Sequence, residues 1–67
     1  MRIELDKEAD VAYIYFKQVC EGEVDKTISL NDSINIDLDC EGKTLGIEIV
    51  DASKNLPASA FSVTVVA

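Results

Sequence analysis

Residues 34 to 54 read INIDLDCEGKTLGIEIVDASK, and this stretch decides the fold. Ile34, Ile36 and Leu38 alternate with Asn35, Asp37 and Asp39, and after a short polar break Leu45, Ile47 and Ile49 alternate with Thr44, Gly46 and Glu48. A period of two is the pattern of half-buried strands, so the stretch predicts a β-hairpin. For all six apolar residues to share one face, Ile34 must lie opposite Ile49, Ile36 opposite Ile47 and Leu38 opposite Leu45. A one-residue slip would exchange the faces, so an even-length loop is required. The prediction is a two-residue turn at Glu41-Gly42 or a four-residue one from Cys40 to Lys43, with Gly42 supplying a positive φ. In that register Asp37 faces Gly46 and Asn35 faces Glu48 on the second side of the sheet. Gly46 within a strand marks a bulge or the close approach of another group.

Outward from the hairpin the same alternation recurs. Arg2 to Asp6 places Ile3 and Leu5 on one side, and Lys7 to Asp10 makes a polar turn. Val11 to Phe16 is apolar on both sides, with Val11, Tyr13 and Tyr15 on one and Ala12, Ile14 and Phe16 on the other, as expected of a strand covered on both faces. Gln18 to Asp25 reads as a loop, Lys26 to Leu30 as a strand with Ile28 and Leu30 inward, and Asn31 to Ser33 as a tight turn. Asp51 is placed to cap a short turn through Ala52, Ser53 and Lys54. Pro57 breaks the chain, Ala58 to Ala60 suits a further turn, and Phe61, Val63 and Val65 alternate as a last strand, with a short C-terminal helix as the alternative. The expected fold is one small all-β domain over residues 1 to 67, or a β-rich one with a short C-terminal turn or helix, built as a curled antiparallel meander of about five strands.

Charge and size narrow the partners. Thirteen acidic residues against six basic ones give a net charge of -7, and such a surface repels phosphate backbones and anionic lipids, so neither nucleic acid nor a membrane is an expected partner. The longest apolar run, Val11 to Phe16, is far shorter than a membrane span. A chain this small buries only about 60% of its unfolded surface, yet 48% of its residues are hydrophobic. The surplus predicts a homodimer or higher oligomer, joined through the Val11 to Phe16 strand or the C-terminal strand. Cys20 and Cys40 form no paired motif and the N-terminus does not resemble an export signal, which predicts a cytoplasmic chain with free thiols.

Chemistry is sparse. Asp37, Asp39, Glu41, Gly42 and Glu48 approach the spacing of a helix-loop-helix calcium site, but the flanks read as strands and the ligands would not converge. There is no His, which removes Ser-His and Cys-His nucleophile pairs, and the glycines are too scattered to cradle phosphate. No catalytic residue, no metal ligand set and no cofactor is expected. The residues left without a full structural explanation are Asn35, Asp37, Gly46 and Glu48, joined by Tyr13 and Tyr15, whose rings pair apolar area with a hydrogen-bonding tip. These six form the candidate interaction face.

The segment from Asp6 to Ile14, DKEADVAYI, with Ile36 to Lys54, IDLDCEGKTLGIEIVDASK, resembles the small prokaryotic proteins of the domain of unknown function 2283 family. Val11, where the family favours a small residue, and the tail after Leu56 depart from its pattern. The resemblance implies shared roles for Asp37, Gly42, Gly46, Glu48 and Ser53 and no established activity. It also implies an antitoxin-like, non-enzymatic binding module, and the acidic charge suits a basic protein partner. A self-assembling homo-oligomeric structural protein and weak divalent-cation binding are the alternatives.

Overall fold

The computed structural model describes residues 1 to 62. Five strands form one antiparallel sheet: β1 (Arg2–Asp6), β2 (Val11–Tyr15), β3 (Lys26–Ser29), β4 (Ile34–Leu38) and β5 (Thr44–Val50), in the order β1-β2-β5-β4-β3. Two consecutive pieces, the β1–β2 hairpin and the β3–β4–β5 meander, meet where β2 pairs with β5. The predicted antiparallel five-stranded sheet is therefore present, with β5 at its centre between β2 and β4. A short helix α1 (Ala52–Asn55) and a 3-10 turn (Ala58–Ser62) follow. Phe61, expected to begin a last strand, lies in that 3-10 turn, and Val63 to Val66 fall outside the described residues.

Pairing sorts the side chains into rows that run across all five strands. Ile3, Ile14, Ile47, Ile36 and Ile28 are successive cross-strand partners, a row made wholly of isoleucine. Beside it run Leu5, Ala12, Ile49 and Ile34. The second row is the better covered one: Ala12, Ile49 and Ala52 form the buried cluster, with Leu5, Ile34, Leu56 and Phe61 packed against it, together with Ile14 and Ile47 from the isoleucine row. Ala52, the first residue of α1, is fully buried.

The β4–β5 hairpin has the predicted facing, with Ile34 opposite Ile49, Asn35 opposite Glu48, Ile36 opposite Ile47 and Asp37 opposite Gly46. Its loop corrects the prediction. The Asp39 N–H bonds to the Lys43 carbonyl and the Gly42 N–H to the Asp39 carbonyl, so the connection holds three residues, Cys40 to Gly42, with Gly42 at φ 83. An odd loop should invert the facing, but a shift between Asp37 and Leu38 sets Leu38 against Thr44. Leu45 is the extra residue of the resulting bulge. One odd step in the loop is cancelled by another in the strand.

Two further expectations are corrected. Asp51 makes no side-chain cap on α1; it stands in the left-handed region at φ 52. Ile28 and Leu30 are on the apolar side but not inward, since 42% and 66% of their surfaces remain exposed.

Candidate functional site

The face opposite the isoleucines is polar and equally ordered. One row runs Glu4, Tyr13, Glu48, Asn35 and Ser29; the next runs Arg2, Tyr15, Gly46, Asp37 and Thr27. All six candidate residues, Tyr13, Tyr15, Asn35, Asp37, Gly46 and Glu48, thus lie together in two adjacent rows.

Gly46 is the hinge of the arrangement. The Tyr13 ring leaves β2, crosses β5 over Gly46, and its hydroxyl donates to Asp37 Oδ2 on β4. A Cβ on residue 46 would overlap the ring edge, 2.7 Å from the hydroxyl oxygen and 2.7 Å from the Ile14 carbonyl oxygen. Both readings of Gly46 therefore hold, since it adjoins the bulge and is roofed by a side chain. The other Asp37 oxygen accepts from Thr27 Oγ1 at 2.6 Å. Asn35 Nδ2 donates to Glu48 Oε1 at 3.0 Å and its Oδ1 accepts from Ser29 Oγ at 2.6 Å. The two tyrosine rings tilt against each other with centroids 4.3 Å apart, and the Arg2 guanidinium lies 4.5 Å above the Tyr15 ring.

Electrostatics follow from this geometry. Burial, reinforced by the Asp37 hydrogen bond and charge, holds the Tyr13 phenol in its protonated form well above the usual tyrosine range. Burial and then Glu4 push Tyr15 up, with Arg2 opposing. The Arg2 to Glu4 separation is 3.6 Å. Away from this face, Lys17 pairs with Glu23, which also accepts from the Cys20 N–H at 2.9 Å; these contacts raise the Lys17 ammonium and lower the Glu23 carboxyl.

The remaining motif residues are used in turns and caps. Asp6 Oδ1 accepts from the N–H groups of Glu8 and Ala9, closing the first hairpin. Asp39 Oδ1 accepts from Glu41 and Lys43, so this supposed calcium ligand folds back on its own loop. Among the described residues no three Cys, Asp or Glu side chains are grouped to hold a metal ion. The cap that Asp51 does not make comes from Asp10, at φ 58 in the first turn: its carboxylate accepts from the Ser53 N–H at 3.0 Å and from Ser53 Oγ at 2.6 Å, while its carbonyl accepts from the Ala52 N–H. Sequence reasoning missed this pair because its members are remote along the chain.

Among the described residues no helix is long and apolar enough to cross a membrane. The model of a family described as protein of unknown function DUF2283 matches residues 2 to 53. No curated protein and no solved structure matches the chain.

Proposed function

We propose that this chain, which belongs to the DUF2283 family of proteins of unknown function, is a non-enzymatic module that binds a basic protein through its acidic, tyrosine-bearing sheet face. One observation carries the reading. The two polar rows present Glu4, Glu48 and Asp37 around a pair of tilted, touching tyrosines, with Arg2 as the cation in those rows, in a chain of net charge -7. Tyrosines amid carboxylates offer apolar area at low entropic cost together with acceptors for Lys and Arg. A binding role is further supported by how the polar groups are already used. Tyr13, Asn35 and Asp37 are tied to one another's neighbours in a fixed lattice, which holds the charges in place for a complementary surface. An antitoxin-like role, covering a basic partner, is the specific form of this proposal.

Co-expression with the product of the adjacent gene tests it, followed by titration across a salt series. The expected result is a complex with a basic protein whose dissociation constant rises steeply with salt and by about tenfold or more in Asp37→Asn/Glu48→Gln. A complex indifferent to both salt and the double variant overturns the proposal, as does the absence of any complex with a basic protein.

A further inference from the structure

The sheet has two edges, and they differ. Strand β1 carries Glu4 and Asp6 along its length, whereas β3 carries no carboxylate at all. Every residue of β3 is exposed. Three of the large apolar residues left in solvent lie on it or at its ends: Val24 at 40%, Ile28 at 42% and Leu30 at 66%. Charges and bulky polar side chains are the usual guards of an open edge. Here β3 keeps one such charge, Lys26 at its start, while the hydroxyls of Thr27 and Ser29 are drawn back onto β4, to Asp37 and Asn35, and leave the rest of the edge clear.

The main chain is ready to pair. The Leu30 N–H bonds to the Ile34 carbonyl at 2.8 Å, and Ile28 faces Ile36 in the same register. Bonded pairs alternate along an antiparallel ladder, so the N–H and C=O groups of Thr27 and Ser29 point away from β4, out of the sheet.

We propose that β3 pairs antiparallel with β3 of a second copy of this chain, about a twofold axis passing at Ile28. In that register Thr27 of each copy exchanges both hydrogen bonds with Ser29 of the other, which satisfies all four outward groups on each strand. The two Ile28 side chains meet at the closer, non-bonded spacing of about 4.5 Å between Cα atoms. Lys26 of one copy faces Leu30 of the other, so the two ammonium groups stay apart and each lysine stem covers apolar surface. The isoleucine row then runs unbroken through both sheets. Charge selects the occupant. With a net charge of -7, two copies meet at least cost along β3, whose one neighbouring carboxylate, Asp25, falls opposite Asn31 of the other copy in this register, whereas pairing through β1 would set Glu4 and Asp6 among their counterparts. A strand from a basic protein would gain little at β3, where Asp25 at one end is set against Lys26 beside it. The acidic face is left open by this dimer, and the inference does not rest on what that face binds.

Sedimentation velocity tests it, with variants on either edge. The expected species has twice the 7.3 kDa chain mass. Ile28→Lys, which opposes two cations on the axis, and Thr27→Pro, which removes an outward N–H at a position where an edge strand tolerates proline, each raise the dimer dissociation constant about tenfold or more. Ile3→Lys on the far edge leaves it unchanged. In a Cys20→Ser/Cys40→Ser background, Ile28→Cys forms an interchain disulfide with oxidised glutathione, which is reduced to two thiols as the bond forms. A wild-type chain that stays monomeric at near-millimolar concentration overturns the proposal. So does a dimer that survives both β3 variants, or an Ile28→Cys chain that is folded and does not crosslink.

Discussion

The two faces of the sheet are built from the same five strands in the same register, yet they are held by opposite means. On the apolar face order comes from α1 and the 3-10 turn, which cover the Leu5, Ala12, Ile49 and Ile34 row and leave the isoleucine row open toward β3. On the polar face no element among the described residues covers the sheet, and order comes from side chains that reach sideways across strands, Tyr13 over Gly46 to Asp37 and Ser29 to Asn35 to Glu48. The difference shows that an exposed face can be as sterically specified as a core. Hydrogen bonds fix positions only when the space beneath them is already allotted, and here a missing side chain allots it.

That comparison can be broken most directly at Ile49 and Ile28. Ile49→Ala, in the covered cluster, should cost about 2 to 5 kcal/mol, while Ile28→Ala in the open part of the same face should lower monomer stability by less than about 1 kcal/mol; urea denaturation of both variants measures the contrast. Gly46→Ala should cost about 2 to 3 kcal/mol, as much as many core substitutions, although it lies on the polar side. Tyr13→Ala introduced beside it should recover only part of that loss, because the Ile14 carbonyl oxygen remains in the way. Equal melting temperatures for wild type and Gly46→Ala would show that the ring merely rests on the glycine.

Asp10→Ala should come next, at about 1 to 2 kcal/mol, since it strips the cap from α1, the element that seals the covered row. Asp51→Ala, by contrast, should change stability little through capping, as its side chain caps nothing. The smallest effect is the pH dependence. Tyr13 is held protonated in the fold above its ordinary value of 10.0, so its contribution is complete below that pH and is lost as the pH rises beyond it, by less than about 1.4 kcal/mol per pH unit. Denaturation at about pH 8 and about pH 11 should show the fall, reduced in Tyr13→Phe; an unchanged slope in that variant would assign it elsewhere.

Much of this was legible in the residues. Alternation over 34 to 50 specified which side chains share a face, because only one facing buries the isoleucines. It could not specify the loop: an even loop, or an odd loop with a bulge, gives the same facing, and the choice rests on Gly42 adopting a positive φ just before Lys43 closes onto Asp39. Four residues of the candidate face, Asn35, Asp37, Gly46 and Glu48, were recognisable as surplus to the hairpin's needs, and Tyr13 and Tyr15 as amphipathic rings on another strand. What joined them, the length of a tyrosine ring spanning one strand, belongs to the order β2-β5-β4, and pairing between distant strands leaves no periodic trace. The Asp10 cap was hidden for the same reason, and the inward expectation for Ile28 failed because alternation reports the side of a sheet and not whether anything covers it.

The loop and bulge of the β4–β5 hairpin carry a consequence for how such a chain can change length. Removing Leu45 alone deletes the bulge and leaves Asp37 opposite Gly46 across the same three-residue loop. Removing one residue from Cys40 to Gly42 is absorbed in the same way, by a three-residue loop that takes in Lys43 and a strand without the bulge. One deletion between residues 40 and 45 should therefore leave every isoleucine on its own face, the bulge serving as a spare residue of length.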